Sequence, residues 1–348
     1  MTTNKQTLSP IGLTVGSLFA GIGGICLGFK GAGCNVVWSN EFDKHACMTY
    51  RHNNPSTRLL EADVKTVDPL MLGQVDILTS GFPCQAFSLA GLQKGFEDPR
   101  GNLFQETVRF IKALKPKAFL LENVKNLKSH NRGETYKVIC KELNAAGYSC
   151  IHAILNAKDF GNIPQARERI YIVGFIGESE CTKFINNIWD NEDVNDPARL
   201  SCSCRFKFPK RIPLTVSVRD LLETGRQDDK YYYCPGQTYY DRLKEAVIKP
   251  NVVYQWRRVY ARENKSGLCP TLTANMGGGG HNVPIILDEY GIRKLTPSEC
   301  LKLQGFPSSF TFPKGMADSH CYKQAGNSVV VPVITRIANS MIKAIKKV

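Results

Sequence analysis

Short apolar runs alternate with amphipathic stretches through the first half of the chain. The apolar runs cover residues 13–19, 34–39, 75–79, 118–121 and 169–175. Helix-like stretches separate them, the clearest at residues 101–114 and 135–146. Runs of this length with helices between them predict βαβ units and a parallel sheet. The first half of the chain is therefore predicted to be an α/β fold.

Each of the first four predicted strands ends in residues of chemical interest. A glycine cluster at 21–24 follows the first strand, Glu41 the second, Cys84 the third and Glu122 the fourth. Ligands of open parallel sheets bind beyond the carboxyl ends of the strands. The pattern therefore predicts one site built from all four strand ends.

The pattern changes after Phe175. Residues 178–196 are acidic and poorly periodic, which is typical of a linker or irregular loop, and the sequence beyond them is rich in basic and tyrosine residues. From residue 329 onward, apolar residues recur at helical spacing after Pro332. This predicts a terminal helix packed back on the sheet, with its basic end matching the helix dipole.

The charge distribution sharpens this division of the 348-residue chain. Lys and Arg number 45 against 31 Asp and Glu, a formal charge of +14. Residues 1–200 carry 22 basic and 20 acidic side chains, whereas residues 201–348 carry 23 and 11. Clustered Lys and Arg neutralise phosphates, so the second half predicts contact with nucleic acid. A merely solvated basic face would give the same count.

The overall composition excludes several classes of protein. With 43% hydrophobic residues the chain can bury a sizeable core, which argues against disorder. It has no run of about 18 apolar residues, so no membrane span is expected. Its polar first ten residues lack the apolar core of a signal peptide, which predicts a cytoplasmic protein.

The 13 cysteines are scattered and odd in number. In a chain this long without a signal peptide, most should be reduced thiols that act as small buried hydrophobes. Only Cys202 and Cys204 are close-set, and no second pair accompanies them, so no metal site is expected.

The glycine cluster indicates a cofactor site at the end of the first strand. It reads Phe19-Ala20-Gly21-Ile22-Gly23-Gly24, and a third glycine of the dinucleotide-binding pattern is missing because Cys26 occupies that position. Glu41 is placed to accept hydrogen bonds from a ribose, and Asp63 suits an adenine amine. These features favour a nucleoside cofactor without a pyrophosphate. A plain strand-to-helix turn is the alternative.

Cys84 is the cysteine that the pattern favours as a nucleophile. It follows Pro83 at the end of a predicted buried strand and precedes a glycine-rich segment, residues 91–101, suited to a mobile active-site loop. Glu122 could supply a proton at the next strand end. Arg167 and Arg169 alternate into a strand and could hold a carbonyl or carboxylate. Core packing, helix capping and surface ion pairs are the respective alternatives.

These motifs, in this order and spacing, resemble the DNA (cytosine-5) methyltransferases. Two later segments, residues 293–307 and 324–329, match that family as well. The similarity runs from about residue 13 to residue 335 and lapses only at 176–265. It implies a Rossmann-like S-adenosylmethionine-dependent methyltransferase sheet with a second, smaller, mostly irregular or β target recognition domain.

The resemblance also implies a mechanism and its residues. The Cys84 thiolate would add to carbon 6 of a cytosine flipped out of the duplex, while Glu122 hydrogen-bonds ring nitrogen 3. Arg167 and Arg169 would steady the base carbonyl and the active-site loop. S-adenosylmethionine would supply the methyl group and leave as S-adenosylhomocysteine, with no metal. The cofactor-binding residues would be Phe19, Gly21, Gly23, Gly24, Glu41, Phe42, Asp63, Val64, Asn327 and Ser328.

The expected domains follow from the same resemblance. Residues 1–183, completed by the C-terminal helix at 310–348, would form the catalytic and cofactor-binding domain, and residues 184–309 the target recognition domain. DNA contacts are expected from Gln85, Ser88, Arg100, Arg257, Arg258, Thr271, Thr273 and Gly278. The tyrosines at 231–233 could belong to the core of the smaller domain or contact DNA.

The expected partners are double-stranded DNA and a cognate restriction endonuclease in a bacterial restriction–modification system, with the protein itself a monomer. Two alternatives remain open. One is a transfer-RNA cytosine-5 methyltransferase on the same fold. The other is a catalytically silent DNA-binding regulator.

Overall fold

The structure is a computed structural model that describes residues 12–83, 103–177, 206–250, 252–278 and 282–346. Cys84, Gln85, Ser88 and Arg100 lie outside these ranges, as does the acidic stretch 178–196. The strands of the described part are β1 (Thr14–Leu18), β2 (Asn35–Glu41), β3 (Arg58–Glu61), β4 (Ile77–Ser80), β5 (Ala118–Val124), β6 (Tyr148–Asn156), β7 (Gln165–Ala166), β8 (Glu168–Ile176), β9 (Tyr254–Arg257), β10 (Tyr260–Glu263), β11 (Cys269–Pro270), β12 (Ile285–Asp288) and β13 (Gly291–Lys294).

Seven strands form the large sheet in the order β3-β2-β1-β4-β5-β8-β6. Strands β1 to β5 run parallel, as the apolar pattern predicts for β1, β2, β4 and β5. The exception is β8, which pairs antiparallel with both β5 and β6. The prediction of an α/β fold is confirmed, but the parallel orientation expected for residues 169–175 is wrong.

Two strands of this sheet were missed by the apolar pattern. Strand β3 has only four residues, two of them charged, and it lies at the edge of the sheet. Strand β6 contains Ser149, His152 and Asn156, and it is also an edge strand. Edge strands are covered less completely than central ones, so they tolerate polar residues and lose the apolar signature.

The described helices are α1 (Gly24–Gly31), α2 (Lys44–Asn53), α3 (Leu103–Leu114), α4 (Glu134–Ala145), α5 (Ala157–Phe160), α6 (Tyr240–Ala246), α7 (Pro297–Lys302), α8 (Asp318–Asn327) and α9 (Val331–Ile345). Local sequence sets several of their starts. The Asp43 carboxylate caps α2 by accepting from the amides of His45 and Ala46. A reciprocal capping box between Thr296 and Glu299 starts α7.

The terminal helix predicted from residue 329 onward is α9, which packs on one face of the large sheet. The single helix expected over 310–348 is wrong, because α8 and α9 are separate helices and the first begins only at Asp318. The α9 side chains Ile334, Ile337 and Met341 are fully buried. Gly28 of α1 permits the close approach, since a Cβ there would lie 2.4 Å from Ile334. The stretch Asp318–Ile345 has the length and composition of a membrane-spanning helix, but most of its apolar window is buried inside the protein. Packing in the core accounts for its apolar character.

The opposite face of the sheet is covered by α3 and α4. Phe110 and Ile111 of α3 and Ile139 of α4 are buried there with Trp38. Gly16 of β1 lies beneath the Trp38 ring, where a Cβ would be only 2.2 Å from it. Both faces of the large sheet are therefore apolar, as a sheet covered by helices on two sides requires.

A four-stranded sheet of order β10-β9-β12-β13 forms from residues 254–294. The short β11 instead pairs in parallel with β7, between residues 269–270 and 165–166. Tyr232 is buried and donates from its hydroxyl to Asp288, 3.0 Å away, and both Tyr231 and Tyr233 pack against apolar clusters. Of the two interpretations of the tyrosine run, these contacts favour packing.

All nine cysteines in the described ranges are free, and eight of them are buried. The prediction that most cysteines act as small buried hydrophobes is confirmed for these nine. Cys234 is the exposed one.

Candidate active site

The carboxyl ends of β1, β2, β4 and β5 lie side by side, because these strands are parallel and neighbours in the sheet. They carry Phe19, Glu41, Gly81 and Glu122 respectively, or lead directly into them. The predicted gathering of strand-end residues at one edge is therefore present for the described residues.

The turn after β1 has an unusual backbone. Phe19, Gly21 and Gly23 have φ values of 51°, 56° and 95°, in the left-handed region. For a phenylalanine this conformation is strained, and such strain clusters at ligand sites. A Cβ at Gly21 would meet no described atom within 4 Å, so the backbone there borders open space.

Gly24 permits close packing between two chain segments. A Cβ at this position would lie 2.7 Å from Oγ of Ser328 and 2.9 Å from Val329. The start of α1 therefore packs directly against the segment after α8, which brings Ser328 to the glycine turn. Asn327 lies beside it, exposed in the last turn of α8.

The Glu41 carboxylate is fixed by three backbone amides. Oε2 accepts from Gly21 at 2.7 Å, and Oε1 accepts from Phe42 and Asp43, each at 2.8 Å. A carboxylate offers about four lone-pair positions, so one on Oε2 remains for a further donor. The Phe42 ring next to it is 73% exposed, which is unusual for so large an apolar side chain.

Asp63 and Val64 lie just beyond β3. Oδ1 of Asp63 accepts from the amide of Lys65 at 3.0 Å and so caps the 3₁₀ turn Val64–Thr66. Val64 itself is buried in the core cluster beneath the turn. Asn40 holds the turn to β2, because its amide donates to the carbonyls of Leu60 and Ala62.

Glu122 is buried at the end of β5, and Arg169 lies diagonally across from it on β8. Arg169 Nε is 3.3 Å from Glu122 Oε1, yet this oxygen has no hydrogen-bond partner among the described residues. Burial raises the pKa of Glu122, and the positive charges of Arg169 and Arg167 oppose that rise only in part. The carboxyl group is thus suited to hold a proton and donate it.

Arg167 contacts the backbone rather than open space. Its guanidinium donates to the carbonyls of Leu272, Gly326 and Ser328. Burial, together with the like charge of Arg169, lowers the pKa of Arg167 to about 9, which leaves it cationic at neutral pH. These hydrogen bonds connect three chain segments, and the expected contact of Arg167 with the base carbonyl stays a prediction.

The expected DNA-binding residues that are described fall in two places. Arg257 and Arg258 are exposed at the tip of the β9–β10 hairpin, where Arg258 has a φ of 53°. The Thr271 hydroxyl donates to the carbonyl of Ala166 at 2.5 Å, next to Arg167 in the chain. Thr273 and Gly278 are exposed. Cys84, Gln85, Ser88 and Arg100 lie outside the described residues.

The sequence gives no role to two polar residues that lie close to the predicted site residues. The Asn123 side chain donates to the carbonyl of Phe82 at 2.9 Å, two residues before Cys84. The fully buried Gln165 donates to the carbonyl of Leu303 at 2.6 Å and accepts from the amide of Leu272. For Asn123 the signal was a polar side chain at the end of a largely apolar strand, which requires a buried partner, whereas the polar and charged neighbours of Gln165 give no such signal.

The strand order, the single antiparallel strand and the glycine turn together define a class, the Rossmann-like methyltransferases. Within that class, the chain belongs to the C-5 cytosine-specific DNA methylase family, whose model matches residues 13–343.

Its relatives include the type II methyltransferases of bacterial species. M.Bsp6I of Bacillus sp. (strain RFL6) is 48% identical over 336 residues, which cover 95% of this chain and 99% of that protein. M.HhaI of Haemophilus parahaemolyticus is 36% identical over 336 residues, covering 94% and 93%.

Solved structures share the fold at low sequence identity. Dnmt2 methyltransferase from S. pombe superposes with a TM-score of 0.67 at 22% identity, covering 95% of this chain and 98% of that one. A variant of DNMT2 from Spodoptera frugiperda gives 0.68 at 20% identity, covering 94% and 99%.

Proposed function

We propose that this protein transfers a methyl group from S-adenosylmethionine to carbon 5 of a cytosine in a short duplex DNA sequence, with Cys84 as the nucleophile. The observation that carries the proposal is the buried Glu122 beside Arg169, at the end of the strand next to the one that leads to Cys84. The family membership of the chain supplies the reaction class.

The carboxyl group of Glu122 activates the base. Burial raises the pKa of Glu122, which favours the protonated form that donates a hydrogen bond to ring nitrogen 3. The Cys84 thiolate then forms a bond to carbon 6, and the electrons of the 5,6 double bond move toward carbon 5. Negative charge that develops on the ring is offset by Glu122 and by Arg169.

The thiolate must leave again for the enzyme to turn over. Once carbon 5 carries the methyl group, loss of its proton restores the double bond and expels the Cys84 sulfur. Asn123 holds the chain just before Cys84 through the carbonyl of Phe82, so it contributes to the position of the nucleophile.

The residues at the first three strand ends fit a nucleoside cofactor. Glu41 keeps one acceptor position for a ribose hydroxyl, the exposed Phe42 ring and Phe19 suit an adenine, and the bare backbone at Gly21 leaves room. The other residues proposed to hold it are Gly23, Gly24, Asp63, Val64, Asn327 and Ser328. When bound, S-adenosylmethionine supplies an electrophilic methyl group.

The target cytosine has to leave the duplex, because a thiol cannot reach carbon 6 of a stacked base. Flipping a base costs a few kcal/mol, which contacts to the DNA backbone offset. We assign these contacts to a target recognition domain at residues 184–309, with 1–183 and 310–348 forming the catalytic domain. The 23 basic and 11 acidic residues after position 200 give this part of the chain a positive charge, which supports the division.

We further propose a biological setting. The relatives are named as type II methyltransferases, which supports a role in a bacterial restriction–modification system with a cognate endonuclease as functional partner. In that setting the protein works in the cytoplasm, as a monomer, on double-stranded DNA.

A transfer assay tests the proposal. Incubation with methyl-labelled S-adenosylmethionine and either duplex DNA or transfer RNA should label only the DNA, at carbon 5 of cytosine. Cys84→Ser should abolish labelling, whereas the matched variant Cys234→Ser, at an exposed free cysteine, should retain it. Label on transfer RNA alone would support the RNA enzyme, and binding of DNA without any transfer would support the silent regulator.

A further inference from the structure

The turn that carries Asp63 and Val64 follows an edge strand. Strand β3 is the last in the large sheet, so only β2 supports it by strand pairing. On the β2 side, Asn40 donates to the carbonyls of Leu60 and Ala62 at 3.2 and 2.9 Å. At the far end of the turn, residues 64–67, the turn's own backbone hydrogen bonds are joined by support from another element.

Arg109 of helix α3 supplies that support. Its NH2 group donates to the carbonyl of Val64 at 2.9 Å, and its NH1 group donates to the carbonyl of Val67 at 3.0 Å. One side chain thus holds both ends of the turn that Asp63 caps.

Glu106 fixes the Arg109 guanidinium from the opposite side. Arg109 Nε donates to Glu106 Oε2 at 2.7 Å, and NH2 lies 2.6 Å from the same oxygen. Because Glu106 is one turn earlier on α3, it orients the guanidinium toward the turn and balances its charge. A lysine offers a single ammonium and cannot reproduce this planar set of contacts.

We propose that Arg109 is a positioning residue for the cofactor site, acting through the turn at residues 64–67 on Asp63 and Val64. The inference rests on the proposed function, which includes those two residues among the ones that hold the cofactor. Arg109 does not itself reach the strand-end edge. It fixes the backbone that presents the Asp63 carboxylate, so its loss lowers affinity for the cofactor and leaves the chemical step unchanged.

The test compares Arg109→Lys with the wild-type protein. Calorimetry with S-adenosylhomocysteine should give a dissociation constant about tenfold higher for Arg109→Lys, since two charge-assisted hydrogen bonds are lost. The KM for S-adenosylmethionine should rise in parallel, while kcat at saturation stays within about twofold. Hydrogen exchange of the amides at 65–67 in the free protein should be faster. Glu106→Gln should give the same changes at smaller size.

Lys112→Met provides the matched control. Lys112 is an exposed cation on the same helix, 3.9 Å from Glu142. Its substitution should leave the dissociation constant, the KM, kcat and the hydrogen exchange unchanged. An unchanged dissociation constant in Arg109→Lys, or a fall in kcat with normal affinity, would overturn the inference. Wild-type protein that does not bind S-adenosylhomocysteine at all would instead overturn the proposed function.

Discussion

At the scale of single residues, the two arginines of one motif are placed differently although their sequence positions look equivalent. Arg169 lies beside Glu122, and Arg167 is bonded to three backbone carbonyls from distant segments. Alternation along the chain places both arginines near the strand end, but it does not reveal which acceptors each one meets. The acceptors of Arg167 come from residues 272, 326 and 328, more than 100 positions away.

The difference predicts opposite outcomes for the two lysine substitutions. Arg167→Lys should lower the free energy of unfolding by about 2 kcal/mol or more, because buried carbonyls lose their donors. Arg169→Lys should leave stability nearly unchanged and lower kcat. Urea denaturation and steady-state kinetics on both variants separate the two effects. Equal losses of stability would contradict the distinct placements.

Glu122 gives the clearest pH prediction. Its pKa is raised by burial, and the proposed donor is the protonated form. The wild-type kcat should therefore fall as the pH rises through the raised pKa of Glu122. Glu122→Gln should lower kcat by about 100-fold or more and lose this alkaline fall, since the amide does not titrate.

The same shift fixes the sign of the stability change. When the pKa of a carboxyl group is higher in the folded than in the unfolded state, the protein loses stability as the pH rises from the unfolded-state pKa to the folded-state pKa. Glu122→Gln should therefore be at least as stable as the wild type above that pH range. A loss of activity in this variant would then not be caused by unfolding. Glu168→Gln, at an exposed residue paired with Lys125, is the control and should keep the activity.

At the scale of elements, the sequence predicts the central strands and the terminal helix well, because their apolar patterns are continuous. The edge strands β3 and β6 escape prediction, since charged and polar residues interrupt them. The direction of β8 also escapes, because periodicity carries no information about orientation. Asn123 and Gln165 are visible in the sequence as polar residues, but their hydrogen-bond partners are known only from the fold.

The start of α1 provides a prediction at this scale. Gly24→Ala should destabilise the protein by about 1–3 kcal/mol, because the new Cβ would overlap Ser328 and Val329. Gly21→Ala has open space around it and costs only about 1–2 kcal/mol for its positive φ, but it should weaken binding of S-adenosylhomocysteine. Gly24→Ala as stable as the wild type in denaturation curves, or an unchanged dissociation constant for Gly21→Ala in calorimetry, would contradict this.

At the scale of the whole molecule, charge and cofactor chemistry are divided along the chain. Residues 1–200 are nearly neutral and hold the strand-end site, whereas the later residues carry most of the +14 charge. This division is visible in the sequence. Which basic residues meet DNA is not, because composition does not say which surface each side chain occupies.

The hairpin tip tests this division. If Arg257 and Arg258 each contact a phosphate, replacing both with Gln should reduce the slope of log K against log salt by about two for DNA binding. Replacing Lys343 and Lys346 of the C-terminal region with Gln removes the same charge and should leave the slope unchanged. Equal slopes for the two double variants would remove the hairpin from the DNA interface.

The covalent intermediate tests the central claim most directly. The protein is mixed with S-adenosylmethionine and duplex DNA that contains 5-fluorocytosine at the target position. Fluorine at carbon 5 replaces the proton whose loss releases the enzyme, so the adduct is trapped. Mass spectrometry of the intact complex should find one DNA strand per protein. After digestion, the strand should be bonded to the peptide that contains Cys84. Methyl transfer without any trapped adduct, or an adduct on another cysteine, would contradict the account.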